Sequence, residues 1–357
     1  MRFIHLADIH LGAVPDRGYP WSAKREEEIW DSFRRIFDAI REDPVDFLLI
    51  AGDLFHRQPL MREIREVAAL CAGIPDTRVY IMAGNHDYLR QDSFMRTAVW
   101  PENVFVFPGE KPECVRDPLL PVYIYGLSYE HQEITAGLYN RLRPYPDAEE
   151  NALHILMAHG GDARHIPWNI RALLGAGFDY IACGHIHTPT ILIPDQAAYC
   201  GALEPIDRGD TGRHGYMLGT LDRGRLRVKF VPFAVRSYLE LELESTPEDT
   251  QTSMEEKART LILRKGSGNL YRIRLEGVRA PEQVYFPERF RRLGNIVDIQ
   301  DETRQEYDLQ ELRTRFGGTL IGEFIEGLGA ETDPEDPVRQ KAMQYGLQAL
   351  LQTTRLQ

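Results

Sequence analysis

Six of the eleven histidines in this 357-residue chain fall just past the end of an apolar run. They are His10, His56, His86, His159, His185 and His187, in the stretches LADIH, GDLFH, GNHD, MAHGG and GHIH, and Asp8, Asp53 and Asn85 stand in the same stretches. Imidazole nitrogens with carboxylate and carboxamide oxygens form a mixed donor set without sulfur, which suits manganese, iron or zinc better than a thiolate-selected metal. In extended chain, residues i and i+2 point to one side with Cα atoms about 6–7 Å apart. Asp8/His10 and His185/His187 are such pairs, and each could chelate one ion or face two. Asp8, His10, Asp53, Asn85, His159, His185 and His187 make seven candidate ligands. A single ion with an open position takes roughly three or four protein ligands. Seven suit two ions about 3.5–4 Å apart that share one carboxylate. Any one Asp, Asn or His at a strand end is more often a turn former or cap; five such ends in one chain carry the reading. Ile186, between the paired histidines, is expected to turn into the core. His5 and His154 lie inside apolar runs and are expected to be buried, hydrogen-bonded side chains, and Cys183 a small core residue.

The elements that position these residues follow from periodicity. The runs RFIHLAD (2–8), DFLLIAGD (46–53), RVYIMAGNHD (78–87), VYIYGLS (122–128), HILMAHGG (154–161) and DYIACGHIH (179–187) are near-continuously apolar, as strands buried on both faces are. Ile29, Trp30, Phe33, Ile36, Phe37 and Ile40 recur at helical spacing, and residues 60–73 form another helix stopped by Gly73 and Pro75. Strands alternating with helices imply an α/β architecture, and functional groups in such sheets gather beyond the carboxyl ends of the strands. From about 190 to 235 strands follow one another without helices, so this part closes with antiparallel pairing. After about 240 the chain turns polar and acidic, mixing linker and helix. TLILRKGSGNLYRIRLEGV (260–278) reads as strand, turn, strand, and ETDPEDP (331–337) as a hinge. Met343, Leu347, Leu350 and Leu351 define one amphipathic C-terminal helix over about 337–353.

Composition excludes several classes. No apolar run approaches the ~18–20 residues of a membrane span, and the start reads as a strand, not a signal peptide. The four cysteines form no CxxC pair, which fits a reducing cytoplasm without a zinc ribbon or disulfide framework. A net charge of −12 argues against a generic nucleic-acid binder, although carboxylates at a cation site account for part of it.

The order D-x-H, GD, GNHD, a lone H-G and then GHxH resembles the calcineurin-like metallophosphoesterases. The stretches LADIHLG, GDLFH and GALEPIDRGDTGRHG resemble the SbcD/YhaO branch, bacterial relatives of the double-strand-break repair nuclease, and the resemblance covers roughly the first 200 residues. It implies a four-layer α-β-β-α sandwich over residues 1–238, a small α+β capping domain over 239–330 that positions DNA, and a C-terminal helix within 331–357 that either docks a partner or packs on its own domain. It assigns Asp8, His10, Asp53 and His187 to one ion, and Asp53, Asn85, His159 and His185 to the other. The resident metal it implies is manganese; the donor chemistry alone also admits iron or zinc. His86 is then a catalytic group beside the phosphate, and His56 holds either the phosphodiester or His86. Asp87 either orients His86 or caps the next helix. The implied reaction is two-metal hydrolysis of phosphodiester bonds in DNA repair, as a 3′–5′ exonuclease with single-strand endonuclease activity; the alternative on the same centre is a phosphodiesterase or phosphatase of small phosphoesters or cyclic nucleotides, against which His56 and the basic second domain count. The implied partners are DNA, an SMC-like ATPase and a second copy of the chain, with no membrane.

One segment bears on DNA directly. Residues 262–292 hold Arg264, Lys265, Arg272, Arg274, Arg279, Arg289, Arg291 and Arg292 against Glu276, Glu282 and Glu288, a local balance of 8 − 3 = +5. This is either a solvated charged face or, through Arg264, Lys265, Arg272, Arg274, Arg289, Arg291 and Arg292, a surface that contacts the DNA backbone without reading sequence.

Overall fold

The computed structural model describes residues 1–146, 148–149, 151–329 and 336–354. Of the stretch 331–337 read as a hinge, residues 331–335 lie outside the described residues. The chain divides into two compact units, Met1–Tyr238 and Leu239–Gln357.

The first unit is built on strands β1 (Arg2–Leu6), β2 (Phe47–Ala51), β3 (Arg78–Met82), β4 (Val104–Val106), β5 (Glu113–Arg116), β6 (Val122–Gly126), β7 (Leu153–His159), β8 (Tyr180–Gly184), β9 (Thr190–Ile193), β10 (Ala197–Tyr199), β11 (Gly215–Asp222) and β12 (Arg225–Pro232). Its helices are α1 (Ser22–Glu42), α2 (Met61–Ala72), α3 (Phe94–Thr97) and α4 (Ile170–Gly175). Two six-stranded sheets form, in the orders β12-β11-β1-β2-β3-β4 and β5-β6-β7-β8-β10-β9. In the first, β1, β2, β3 and β4 run parallel, and β11 joins β1 and β12 antiparallel. In the second, β6, β7 and β8 run parallel.

Side-chain alternation along each strand explains the layers. Ile4, Leu6, Leu48, Ile50, Val79 and Ile81 pack under Ile29, Phe33 and Phe37 of α1 and Ile64 and Val67 of α2. Their neighbours Phe3, Phe47, Leu49, Tyr80 and Met82 meet Ile124, Ile155, Met157, Tyr180 and Ala182 of the second sheet. The other face of that sheet, including Tyr125, Leu156, Ala158, Ile181 and Cys183, is covered by Tyr139 and Leu173. The fold is thus the α-β-β-α sandwich. Burying a side chain such as Leu49 completely stabilises it by about 1.5–3 kcal/mol.

The second unit contains β13 (Tyr238–Ser245), α5 (Gln251–Lys265), β14 (Leu270–Arg279), α6 (Pro287–Phe290), β15 (Ile296–Asp301), β16 (Arg304–Gln305), α7 (Leu309–Phe316), α8 (Leu320–Gly329) and α9 (Pro337–Thr354). The strands order as β13-β14-β15, with β16 also on β14. Residues 260–265, expected as a strand, are instead the last turns of α5. Thr250 caps that helix by accepting the Ser253 N–H. Met254, Ala258 and Ile262, one helical turn apart, form its buried face against Tyr271, Ile273 and Leu275. A local run of apolar residues was outweighed by a cap and a longer 3.6-residue period. Met343, Leu347, Leu350 and Leu351 of α9 pack with Leu312 and Phe316 of α7 and Ile321 and Ile325 of α8. Among the described residues no helix is long and apolar enough to cross a membrane.

Candidate metal centre

Five strand ends converge. β1, β2 and β3 from one sheet and β7 and β8 from the other present their carboxyl ends on the same side of the sandwich. Main-chain bonds knit the loops beyond them: the Asp8 N–H donates to the Gly52 carbonyl, that of His10 to Asp53, and that of His56 to Leu11, at 3.0–3.1 Å. The backbone leaves the extended region here. Asp8, His10, Asp53 and His185 have φ of 50°, 52°, 51° and 98°, four of nine such non-glycine residues among those described. That conformation is costly for residues with a Cβ, and such strain gathers at functional sites. The D-x-H and H-x-H pairs are therefore set by a left-handed residue, not by strand alternation. Ile186 shows the consequence: it is 40% exposed and not in the core. β8 has ended at Gly184, so the two-residue alternation no longer applies.

The seven ligand candidates lie together. His10 Nε2 is 3.2 Å from His187 Nε2 and 3.8 Å from Asp53 Oδ2. His159 Nε2 is 3.5 Å from Asp53 Oδ2 and 3.0 Å from Asn85 Oδ1, and His185 Nδ1 is 3.1 Å from that same Asn85 oxygen. Asp8, His10 and His187 bring ligand atoms within 4.8 Å of one another, and so do Asp8, Asp53 and His159. Asp8, His10 and His159 are fully buried and Asp53 is nearly so. The Asp8 carboxylate accepts the His185 N–H, and Asp53 Oδ1 accepts the His86 N–H. Glycine makes the room. A Cβ on Gly84 would stand 2.2 Å from Asp53 Oδ1 and 2.7 Å from His159 Nε2.

Burial and charge pull these groups apart. Burial, with Asp53 adding to it, lifts Asp8 to about 6 against the pull of His159 and His187. Burial would lift Asp53 too, but His159, His10 and His86 hold its carboxyl well below the usual range. His159, despite burial, is raised to about 9 by Asp53, Asp8 and the Ala51 carbonyl. His187 is likewise raised to about 9, by Asp210, Asp8 and Asp53 acting against burial. Burial and the neighbouring His159 lower His185 to about 4. Among the described residues no Lys or Arg forms an ion pair with Asp8 or Asp53. Two buried carboxylates with no Lys or Arg partner, facing titratable imidazoles and a carboxamide, are a mixed O/N donor set that fits divalent cations.

His86 and His56 sit at the rim. The rings stack at 5.1 Å, and His86 lies 4.8 Å from His10. His86 Nδ1 is 3.1 Å from the His56 carbonyl oxygen, and His56 Nδ1 is 3.3 Å from His10 Nδ1. Asp87 neither orients His86 nor caps a helix: its buried carboxylate accepts the N–H groups of Gly84 and Phe55, tying the third strand end to the second. His5 is buried with Nδ1 2.9 Å from the Tyr180 hydroxyl, whereas His154 is only half-buried, against Tyr125.

The family model of the calcineurin-like phosphoesterases matches residues 1–189, the span of all five strand ends. The chain belongs to that family. The uncharacterized metallophosphoesterase YhaO of Bacillus subtilis is 29% identical, over 92% of this chain and 90% of that protein. The DNA double-strand break repair protein Mre11 of Methanopyrus kandleri is 30% identical over 63% of this chain and 55% of its own length. Mre11 of Archaeoglobus fulgidus is 26% identical over 91% and 82%. This phosphoesterase is therefore a hydrolase of phosphoester bonds, of a family that works with a binuclear metal centre.

Two residues of the phosphoesterase's site do not stand out in its sequence. Asp210 Oδ2 lies 3.2 Å from His187 Nδ1, and Asp162 Oδ2 lies 2.9 Å from His185 Nε2. Asp210 stands in the loop PIDRGDTGRHG and Asp162 in HGGDARH. An acid in a Gly-rich loop has the signature of a turn former, which masks its role.

The basic candidates of the second unit are largely spoken for. Arg274 pairs with Glu240, Glu242 and Glu276, Arg272 with Asp298, Arg289 with Glu255, and Arg291 with Glu288. Arg279 donates to Thr303 and to the Gln283 carbonyl. Arg264, Lys265 and Arg292 are exposed and make no ion pair among the described residues.

Proposed function

We propose that the protein is a two-metal nuclease that hydrolyses phosphodiester bonds of DNA, as a 3′–5′ exonuclease with single-strand endonuclease activity. The observation that carries the reading is the cluster of two buried carboxylates, a carboxamide and four imidazoles, two of them partly exposed, gathered from five strand ends of two sheets. Asp8, His10, Asp53 and His187 would hold one ion, and Asp53, Asn85, His159 and His185 the other, with Mn2+ as the metal and iron or zinc as the alternatives its donors admit. When bound, the two ions supply hydroxide near neutral pH and charge neutralisation at the phosphoryl group. The protein's share is positioning and proton transfer. His86 donates its Nδ1–H to the His56 carbonyl, which would leave Nε2 free to meet substrate. A proton held on Nε2 stabilises the phosphoryl oxygens or passes to the leaving 3′ oxygen. His56 supports that ring by stacking.

DNA as substrate rests on the names of the Mre11 relatives. Residues 239–330 as a capping domain that positions DNA, pairing with an SMC-like ATPase, homodimerisation and a cytoplasmic location belong to the same reading. The second reading, a small-phosphodiester enzyme, draws support from the ion pairing that occupies most of the basic segment. Mn2+-loaded protein with DNA carrying free or blocked 3′ ends, run beside bis-p-nitrophenyl phosphate, separates them. Degradation of DNA from a free 3′ end is expected. Intact DNA with hydrolysis of the small diester would establish the second reading, and no turnover of either by metal-loaded protein would leave a non-enzymatic scaffold.

A further inference from the structure

The two histidines of GHIH are two residues apart, yet the groups around them engage opposite ring nitrogens. His187 turns Nε2 towards His10, at 3.2 Å from its Nε2, and Nδ1 towards Asp210, at 3.2 Å. His185 does the reverse: Nδ1 lies 3.1 Å from Asn85 Oδ1, and Nε2 lies 2.9 Å from Asp162. We propose that Asp210 and Asp162 are positioning residues that hold His187 and His185 in opposite tautomers, so that His187 offers Nε2 and His185 offers Nδ1 to the metal centre. This rests on the two-ion reading above.

An ionised carboxylate can only accept. The imidazole nitrogen facing it carries a proton, so the lone pair an ion can take, by displacing any second proton, is on the other nitrogen, and the bond fixes the ring plane as well. Both carboxylates are themselves held. Asp210 Oδ2 accepts the N–H groups of Ile206 and Asp207 at 3.0 and 2.9 Å. Asp162 Oδ1 accepts those of Arg164 and His165 at 2.7 and 2.9 Å, and the His165 ring closes over it with Nδ1 at 2.9 Å. His159 uses a main-chain version of this device, with Nδ1 2.9 Å from the Ala51 carbonyl oxygen and Nε2 towards Asp53 and Asn85. It is the last residue of β7, inside the sheet. The GHIH histidines lie past the end of β8, where side chains take over that role. Opposite tautomers also explain how so short a spacing serves two positions: the rings differ in which nitrogen they present, not only in where they stand. Asp210 has a side chain 9% exposed and that of Asp162 is 48% exposed, so solvent screens the second pair more and its effect is smaller.

Asp162, His165 and His185 also bring ligand atoms within 4.8 Å of one another, as a separate cation site would. The test therefore counts ions. Protein labelled with 15N-histidine and loaded with diamagnetic Zn2+ is examined by long-range 15N–1H correlation, and ion binding is titrated calorimetrically. The expected spectrum has His187 protonated at Nδ1 and His185 at Nε2. Asp210→Ala weakens one of two ions by about 10–100-fold; Asp210→Asn, which keeps an acceptor oxygen, weakens it less. Asp162→Ala weakens the other ion, by less than Asp210→Ala does. Identical tautomers in the parent protein, unchanged affinities in both alanine variants, or a third ion lost with Asp162→Ala would each overturn the proposal. A parent protein that binds no ion would instead overturn the two-ion reading. The tautomers are read in the parent, so they stand even if a variant fails to fold.

Discussion

The strand-end cluster and the basic segment from Arg264 to Arg292 are both concentrations of ionisable side chains, and they are resolved in opposite ways. At the strand ends Asp8 and Asp53 are buried beside each other, and among the described residues Asp53 forms ion pairs with histidines and neither pairs with a Lys or Arg. In the basic segment, four of the seven arginines and lysines expected to meet DNA already have acidic partners, and three of those four draw on acids outside the segment: Glu240 and Glu242, Asp298, and Glu255. A buried cluster whose carboxylates face only imidazoles that can give up their protons is built for a cation that arrives from outside. A cluster whose charges are matched on the surface is mostly architecture.

The largest effect that tests this contrast is at Asp53. Asp53→Ala removes the carboxylate that approaches both His10 and His159, and turnover is expected to fall by at least ~10²–10³-fold, with metal content falling from two ions towards none by elemental analysis. Full retention of both ions would remove Asp53 from the bridging position. His86→Ala comes next. A general acid or phosphoryl donor contributes about 10²–10⁴-fold, so activity is expected to fall by that order while both ions remain. Loss of metal from this variant would place His86 among the ligands and redraw the boundary between the centre and its rim.

These residues were legible in the sequence because an apolar strand announces its own end, and chemistry placed just beyond it needs only the strand's direction to be located. The α/β alternation was legible for the same reason, from apolar runs set between amphipathic helices, whereas the four layers were implied by the resemblance to the calcineurin-like family. What the sequence left hidden was geometry set by single residues or by distant partners. The left-handed turn at His185 breaks the alternation that would have buried Ile186. The Thr250 cap makes TLILRK helical. Asp162 and Asp210 act on rings 23 residues away in sequence, through loops whose composition signals only a turn. The +5 of the basic segment dissolves because a window counts only its own acids.

A smaller effect tests the other half of the comparison. If the paired arginines are architecture, Arg274→Ala leaves DNA affinity within about twofold and the salt dependence unchanged. Replacing Arg264, Lys265 and Arg292 together by alanine lowers affinity, and the slope of log K against log salt falls by about 0.9 for each phosphate no longer neutralised. The reverse pattern in a binding titration over salt would show that DNA displaces the acidic partners of Arg274.

The smallest expected effect concerns an acid of the second unit that is matched by a lysine, as Asp53 is not. Asp249 accepts hydrogen bonds from Lys257, from the N–H and hydroxyl of Thr246 and from the Ser253 hydroxyl, just ahead of α5. Partial burial pushes its carboxyl up, but these donors, Lys257 foremost, pull it down to about 2. The unfolded value is about 3.9, so the folded chain holds the ionised form more tightly. That contribution is fully present above about pH 4 and is lost as pH falls through 2. The Asp249 side chain is 9% exposed but that of its main partner Lys257 is 42% exposed, so screening trims the contribution below about 1 kcal/mol. Urea unfolding of metal-free parent and Asp249→Asn protein should therefore differ at pH 6, with the difference shrinking between pH 4 and pH 2. A difference that grows on acidification would mean that Asp249 is protonated in the folded chain, held up by burial as Asp8 is.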